Sequence, residues 1–166
     1  DLIDKVPPPV VESMLWEMGE LLQGWSGEAS IQPRILAKTA ALLDAAAKLP
    51  LSDNKDLLFS ALNAPTGKLA GAALEVLGTK NLERKAGLPT DLKNILTDFV
   101  ENKEPSAILG RVMIASRLAI LHDIDPDWTE RVLLPHLDWA NPIEARGAWQ
   151  GFLWSPWVRP SLWAKL

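Results

Sequence analysis

Residues 125–166 read DPDWTERVLLPHLDWANPIEARGAWQGFLWSPWVRPSLWAKL and hold six of the eight tryptophans of the chain. A tryptophan can bury a large apolar area, but its indole N–H still needs an acceptor. The stretch also contains two helix starts, Asp125–Pro126 and Asn141–Pro142, in which a capping residue precedes a proline suited to the first helical position. Glu144 predicts a capping box, because a glutamate at the third position can reach back to the N–H of the cap. The stretch therefore predicts helices over Pro126–Leu134 and Pro142–Trp154.

Helical spacing of apolar residues continues through most of the chain, and alternating strand patterns are almost absent. Prolines and glycines separate the helical patterns. The segment Pro105–His122 is apolar on most of its circumference, which predicts a central position in the fold. A short helical turn is predicted over Asn81–Ala86. The remaining predicted helices are Val10–Gln23, Pro33–Lys48, Asp53–Leu62 with Ser52 as cap, Lys68–Leu77, a helix from Pro89 and Thr90 to Glu101, and a last one starting near Pro160.

These patterns predict an all-α fold. Short connections favour antiparallel neighbours, so we expect an antiparallel array of about eight or nine helices of HEAT-like, α–α repeat type. No clean internal sequence period accompanies this expectation. Residues 1–166 should form a single helical domain. The chain begins at Asp1 and stops at Leu166 within an apolar pattern, so we expect it to be a fragment of a larger multidomain protein.

Composition narrows the range of functions. Hydrophobic residues make up 48% of the 166 residues and charged residues 23%, which is typical of a globular protein. The net charge is −4 and the basic residues are scattered, so we expect neither a nucleic-acid nor a membrane partner. The chain has no cysteine and only two histidines, so a thiolate or histidine-rich metal site is excluded. We expect a cytoplasmic protein without a metal or cofactor.

Two segments resemble binding motifs, but each lacks residues that the motif requires. PTGKLA, residues 65–70, lacks the earlier glycine and the following Ser or Thr of a phosphate loop, so we interpret it as a corner between helices. His122 with Asp123, Asp125 and Asp127 lacks the central glycine and terminal glutamate of a calcium loop. The acidic residues are better explained as helix caps and dipole partners.

No catalytic residue can be assigned from the sequence. Glu144, Arg146 and Arg117 are charged residues near apolar neighbours, and a salt bridge or a helix cap explains them better than a catalytic pair. No nucleophile with a base and an orienting group can be assembled. His136 is interpreted as a surface or interface imidazole. The sequence therefore predicts a chain that is not itself an enzyme.

The tryptophan-rich end of the chain has two interpretations. Trp149, Phe152 and Leu153 fit one helical face and are assigned to the core. Trp154, Trp157 and Trp163 flank two prolines and, with Arg159, form the candidate interaction surface. In a fragment, an apolar edge is most simply the contact with the missing part of the parent protein, while a separate partner site or an aromatic cage for a cation remains open.

Three segments resemble the C-terminal helical region of large bacterial sirtuin-like proteins. They are ALNAPTGKLAGAALEVL (61–77), RVMIASRLAILHDIDPDWTERVLLPHLDW (111–139) and NPIEARGAWQGFLWSP (141–156). Such proteins join an NAD-consuming sirtuin-like domain to a helical array of unknown function and are associated with defence against phage. The family's active site belongs to the sirtuin-like part, so the resemblance assigns no catalytic residue here.

The resemblance implies a non-catalytic scaffold or sensor for this chain. It would mediate protein–protein interaction or autoinhibition, with the rest of the parent chain or a phage protein as its partner and with oligomers formed through the parent. The alternative is a standalone helical ligand-binding protein or enzyme with a Trp-lined pocket near Arg146 and Arg159.

Overall fold

The computed structural model describes residues 7–51, 55–155 and 159–166, and these residues form helices and connecting loops without a β-strand. An all-α fold is therefore confirmed for the described part of the chain. The α-helices are α1 (Pro8–Ser13), α2 (Leu15–Trp25), α3 (Gln32–Ala47), α4 (Leu57–Asn63), α5 (Pro65–Gly78), α6 (Thr90–Glu101), α7 (Ala107–Ala115), α8 (Leu118–Ile124), α9 (Pro126–Trp128), α10 (Pro142–Trp154) and α11 (Pro160–Trp163). A π-helical segment, Thr129–Leu133, and a 3-10 segment, Leu134–Leu137, link α9 to the loop before α10.

The predicted helices match best where a proline start and an apolar stripe coincide. Helix α10 has the predicted bounds, α6 begins at Thr90 and ends at Glu101, and α3 lies within one residue of its prediction. The PTGKLA segment is wholly helical and forms the first turns of α5, so the corner between helices lies at Ala64 and α5 begins three residues before the predicted Lys68. Pro65 occupies the first position of α5, where its missing N–H has no consequence.

Several predicted helices are divided or shifted. The first one breaks at Met14 into α1 and α2, and the Pro105–His122 helix breaks at Ser116–Arg117 into α7 and α8. The helix predicted from Asp53 begins at Leu57, where the Asp56 carboxylate accepts a hydrogen bond from the Phe59 N–H at 2.9 Å. Ser52 and Asp53 lie outside the described residues. A carboxylate at the true cap therefore replaces the predicted serine.

Two further local predictions are wrong. Residues 81–86 form a loop, because Asn81 and Lys85 adopt positive φ angles of 47° and 60° that a helical turn does not allow. The apolar stripe of α3 also includes Thr39, whose hydroxyl the sequence predicts to bond a carbonyl of the preceding turn; Thr39 is buried, but its hydroxyl has no hydrogen-bond partner among the described residues. The expected bond to a carbonyl of the preceding turn is therefore absent there.

The core is built around α5 and α7. Helix α5 packs on α2, α3 and α7, while α7 also packs on α4, α6 and α10. All nine residues of α7 are buried, which confirms the predicted central position of its segment. A helix enclosed on every side needs an apolar circumference, and α7 departs from this only at Arg111. No helix in the described ranges combines the length and apolarity that a bilayer span requires.

Two glycines allow helices to approach at backbone distance. A Cβ atom at Gly151 of α10 would lie 2.1 Å from the Val112 carbonyl oxygen of α7, and one at Gly67 of α5 would lie 1.8 Å from the Ala61 carbonyl oxygen of α4. Neither carbonyl can move aside without shifting its helix. These contacts fix α10 and α5 against their neighbours.

We predict that Gly151→Ala lowers the free energy of unfolding by about 1–3 kcal/mol, because the added methyl group overpacks the α7–α10 contact. The matched control is Gly24→Ala in α2, where a Cβ meets nothing within 4 Å. Removal of the glycine should there raise stability slightly, by at most about 1 kcal/mol. Urea denaturation followed by circular dichroism measures both changes. Equal effects of the two substitutions would contradict the close-approach explanation.

Candidate functional site

A buried ion pair joins three helices near the start of α10. Arg111 of α7 donates to both carboxylate oxygens of Glu144 on α10, at 2.8 Å and 2.7 Å. The same guanidinium donates to the carbonyls of Val100 and Asn102 at the end of α6, at 3.3 Å and 2.7 Å. Helix ends leave carbonyl groups without partners, and Arg111 satisfies two of them. The guanidinium therefore acts as a joint between α6, α7 and α10.

The geometry corrects the predicted capping box. The side chain of Asn141 makes no cap hydrogen bond, and the Glu144 carboxylate binds Arg111 instead of turning back to the helix start. The imidazole of His136 lies beside the same carboxylate, with Nδ1 3.6 Å from Oε2. The salt-bridge interpretation of Glu144 thus holds, but its partner is Arg111 and not Arg146 or Arg117.

The environment of Glu144 lowers the pKa of its carboxyl group. Burial by itself raises the pKa of this carboxyl, but the neighbouring His136 and Arg111 outweigh burial and lower the pKa from 4.5 to about 2. The carboxylate therefore stays charged over the whole physiological range.

A second joint centres on Asp125. Its Oδ1 accepts from the Trp128 N–H at 3.0 Å, so Asp125 caps α9 as predicted. Its Oδ2 accepts from the Leu88 N–H and from Lys93 Nζ of α6, at 3.2 Å and 2.7 Å. Burial raises the pKa of Asp125, but Lys93 and the two backbone donors more than offset it, and the net pKa is lowered. This joint ties the loop before α6, and α6 itself, to α9.

Two tryptophans of the 125–166 stretch find the acceptors that their N–H groups need. Trp128 is almost fully buried, and its Nε1 donates to the Thr97 hydroxyl at 2.9 Å. Trp149 donates to the Leu137 carbonyl at 3.0 Å and meets Phe152 edge-on, with ring centroids 5.7 Å apart. Both residues hold the structure together.

Trp154, a predicted site residue, lies at the outer end of α10. Its side chain is 53% exposed and that of Leu153 is 58% exposed, so assigning Leu153 to the core was wrong. The two residues border an open depression of about 490 Å³, which Lys55, Asp56, Leu58 and Gln150 also line. Arg146 and Arg159 are not among the described lining residues, so the depression is not the predicted Trp-lined pocket near those arginines. Leu153, Trp154 and Leu58 of α4 are called the docking patch below.

Arg159 and Trp163 lie in a segment that contacts another part of the molecule. The Nε of Arg159 donates to the Asp123 carboxylate at the end of α8. Trp163 is 68% exposed on α11. Trp157 lies outside the described residues. Among these predicted site residues, Trp154 borders the α4–α10 depression, and Arg159 is bound to α8.

The remaining candidate motifs have structural partners. Lys68 of the PTGKLA segment pairs with Glu20 and lies over the Trp16 ring, 5.8 Å from its centroid. His122 is buried, and its Nε2 lies 3.5 Å from the Glu130 carboxylate but makes no hydrogen bond among the described residues. The described residues contain no group of three or more His, Cys, Asp or Glu side chains arranged to hold a metal ion.

Sequence reasoning missed Arg111 and the exposure of Leu153. A lone arginine within an apolar helix was a usable signal, because a buried charge requires a partner. For Leu153 no such signal exists, since its exposure depends on which neighbours α10 has at its outer end. Comparison of the chain with protein-family models, curated proteins and solved structures gave no match.

We predict that Glu144→Gln destabilises the fold by about 3 kcal/mol, because the buried Arg111 charge loses its partner. The control is Asp44→Asn, which removes an exposed pair with Lys48 on α3 and should leave stability unchanged within error. Chemical denaturation at pH 7 measures both. A loss no larger than that of the control would show that the joint is dispensable.

We also predict that the stability difference between the wild type and Glu144→Gln shrinks in acid. The pKa of Glu144 is lower in the folded than in the unfolded chain, so its contribution is complete above about pH 4.5 and is lost as the pH falls towards about 2. Denaturation curves of both proteins between pH 7 and pH 2.5 provide the measurement. A constant difference across this range would contradict the assignment.

Proposed function

We propose that this chain is a helical scaffold or sensor module of a larger bacterial protein of the sirtuin-like, NAD-consuming, phage-defence type. In this proposal the chain has no catalysis of its own and works in the cytoplasm by protein–protein interaction or autoinhibition. Its first partner is the rest of the parent chain, and a phage protein is the second. Oligomers would form through the parent. The proposal starts from the resemblance described above for residues 61–77, 111–139 and 141–156, which the comparisons with known proteins do not support with a match.

The docking patch is the observation that carries the proposal. Leu153 and Trp154 expose more than half of their side-chain surface, while Gly151 and Phe152 just before them are locked into the core. A helix that is fixed on one face and presents leucine and tryptophan on the other offers an ordered apolar surface. Tryptophan is among the residues most often found to dominate binding energy at protein interfaces. Lys55 and Asp56 at the edge supply the polar rim that such interfaces have.

We further propose that the helices continue the pattern of a HEAT-like array in the parent protein. The stacking of α2, α5, α7 and α10 in successive contacts supports this, since repeat arrays are built from neighbours that pack pairwise. In such an array the outer face of a terminal helix is the natural place for the next unit.

The second candidate is the binding of a small ligand in the depression beside Trp154. Its volume of about 490 Å³ falls within the range of ligand sites. Ligand sites, however, enclose most of the ligand surface, and this depression is open. An open apolar depression fits an inserted side chain of a protein partner better.

We predict that the double variant Leu153→Ala, Trp154→Ala, made in the full-length reading frame, changes the NAD consumption of the parent by about fivefold or more. The reason is that the variant removes the contact through which the module acts on the catalytic domain. Initial rates of NAD loss are measured for the parent, for the variant and for a deletion of residues 1–166.

The control is Trp139→Ala, which removes a tryptophan of similar exposure outside the patch and should leave the rate unchanged. A parent protein that keeps its full regulation after deletion of residues 1–166 would refute the proposed role. An effect of the deletion without an effect of the double variant would place the contact elsewhere on the module.

A further inference from the structure

Residues 159–166, called the strap below, are bound to the rest of the molecule through three side chains at helical spacing. Arg159 pairs with Asp123, Lys165 Nζ lies 2.8 Å from Glu130 Oε2, and Leu162 between them is 1% exposed within the main core. Arg159 directly precedes the short helix α11, Leu162 lies within it and Lys165 follows it, and residues three apart are neighbours on a helix surface. The strap therefore reads as a basic–leucine–basic segment seated on an acidic surface.

The backbone of the strap makes its described hydrogen bonds within the strap itself. Leu162, Trp163, Ala164 and Lys165 donate to carbonyls of the segment 159–162. No ladder or shared turn is described between its backbone and α8 or the π-helical segment. The described side-chain contacts of the strap with the body include Leu162 and the two ion pairs, and a short helix with the same three side chains can make these contacts.

The receiving surface has the complementary chemistry. Asp123 at the end of α8 and Glu130 in the π-helical segment supply carboxylates that bind Arg159 and Lys165, and Leu162, between these two residues in the chain, is buried in the core cluster. We call these three features the acidic groove. Each carboxylate also has another side chain of the body near it, because Arg84 lies 3.7 Å from Asp123 and the His122 imidazole lies 3.5 Å from Glu130. Each carboxylate therefore keeps a neighbouring side chain of the body when the strap is displaced.

We expect the two ion pairs of the strap to contribute little binding energy. Lys165 and Glu130 are 49% and 37% exposed, so solvent and salt screen their pair, while Arg159 is 38% exposed and its partner Asp123 only 13%, so that pair is screened less. Segments that dock through few side chains open more readily than core helices. The strap is thus the part of the described chain best placed to be displaced by a competitor.

We propose that the acidic groove is a docking site for a short helical segment of a partner protein with the pattern Arg-x-x-Leu-x-x-Lys, and that the strap occupies this groove until such a partner displaces it. The mode is a helix in a groove, with leucine as anchor and charge complementarity at both ends. This inference deepens the proposed function, because it names a second contact surface and the chemistry of its occupant. It does not depend on the docking patch.

The test uses a fluorescein-labelled peptide of sequence RPSLWAKL and the full 166-residue chain. In the wild type the strap competes with the peptide at the high local concentration of a tethered ligand. In Arg159→Glu, Lys165→Glu the strap is released while the groove is intact. We expect the peptide to bind this variant about tenfold more tightly than the wild type by fluorescence polarisation. A peptide in which serine replaces the leucine that corresponds to Leu162 should not bind.

Three controls make the outcome decisive. Lys48→Glu reverses the charge of an exposed lysine on α3 and should leave peptide affinity at the wild-type value. Asp123→Lys, Glu130→Lys should abolish binding. Leu162→Ala releases the strap through its anchor instead of its charges, and circular dichroism verifies that each variant is folded. Binding equal in the wild type and in both release variants, or unaffected by the leucine replacement, would overturn the proposal.

A second copy of the chain is the competing occupant. Light scattering on the release variants should give the monomer mass. If the wild type instead forms a dimer that the free peptide dissociates, the strap of one copy fills the groove of another, and the assignment to a separate partner is wrong. Loss of regulation in the Leu153→Ala, Trp154→Ala parent tests the docking patch independently, so the two proposals can fail separately.

Discussion

The Arg111 guanidinium is the single group on which the arrangement of the helices most depends. It is the only charged side chain of α7, and every other residue of that helix is apolar and buried. A cation in such a position is tolerable only with partners for its donors, and it finds them in Glu144 and in two terminal carbonyls of α6. One side chain thereby sets the position of three helices. The bidentate geometry also fixes the rotation of α10, because both carboxylate oxygens must face α7.

Charged side chains bind helix α6 at both of its ends. These interactions fix its position even though the segment before it, residues 79–89, is an irregular loop. Arg111 satisfies carbonyls at its end, while Asp125 binds Lys93 in its first turns and the Leu88 N–H just before it. The loop at 79–89 contains residues with positive φ and donates two backbone hydrogen bonds to carbonyls of α8, from Lys85 to Asp123 and from Gly87 to Ile124. The joint at Asp125 thus gives an irregular segment a defined path.

The sequence predicted the features that depend on residues close together in the chain, and it missed those that depend on contacts between distant residues. The bounds of α6 and α10 follow from a proline at the start and an apolar period, both visible within fifteen residues or fewer. The breaks at Met14 and at Ser116–Arg117 carry no proline or glycine, so no local signal marks them. Glu144 fits a capping pattern, but Arg111, 33 residues away, competes for the same carboxylate and wins. In the same way, Trp154 stood out as a candidate because it is a tryptophan, whereas its exposure beside Leu153 depends on how α4 and α10 meet.

Different parts of the molecule are therefore held in place with different strength. Helix α10 is held by backbone-distance packing at Gly151 and by a buried ion pair, so its outer residues keep a fixed orientation. The strap is bound by the buried Leu162, by a part-buried pair between Arg159 and Asp123 and by an exposed pair between Lys165 and Glu130, and salt weakens the exposed pair most. A rigid apolar surface suits recognition that must persist, because little conformational entropy is lost when a partner binds it. A displaceable segment suits a response, because a partner can shift an equilibrium only if it binds one of the two states better. In the two proposals above, the rigid surface would serve a lasting contact and the displaceable segment a conditional one.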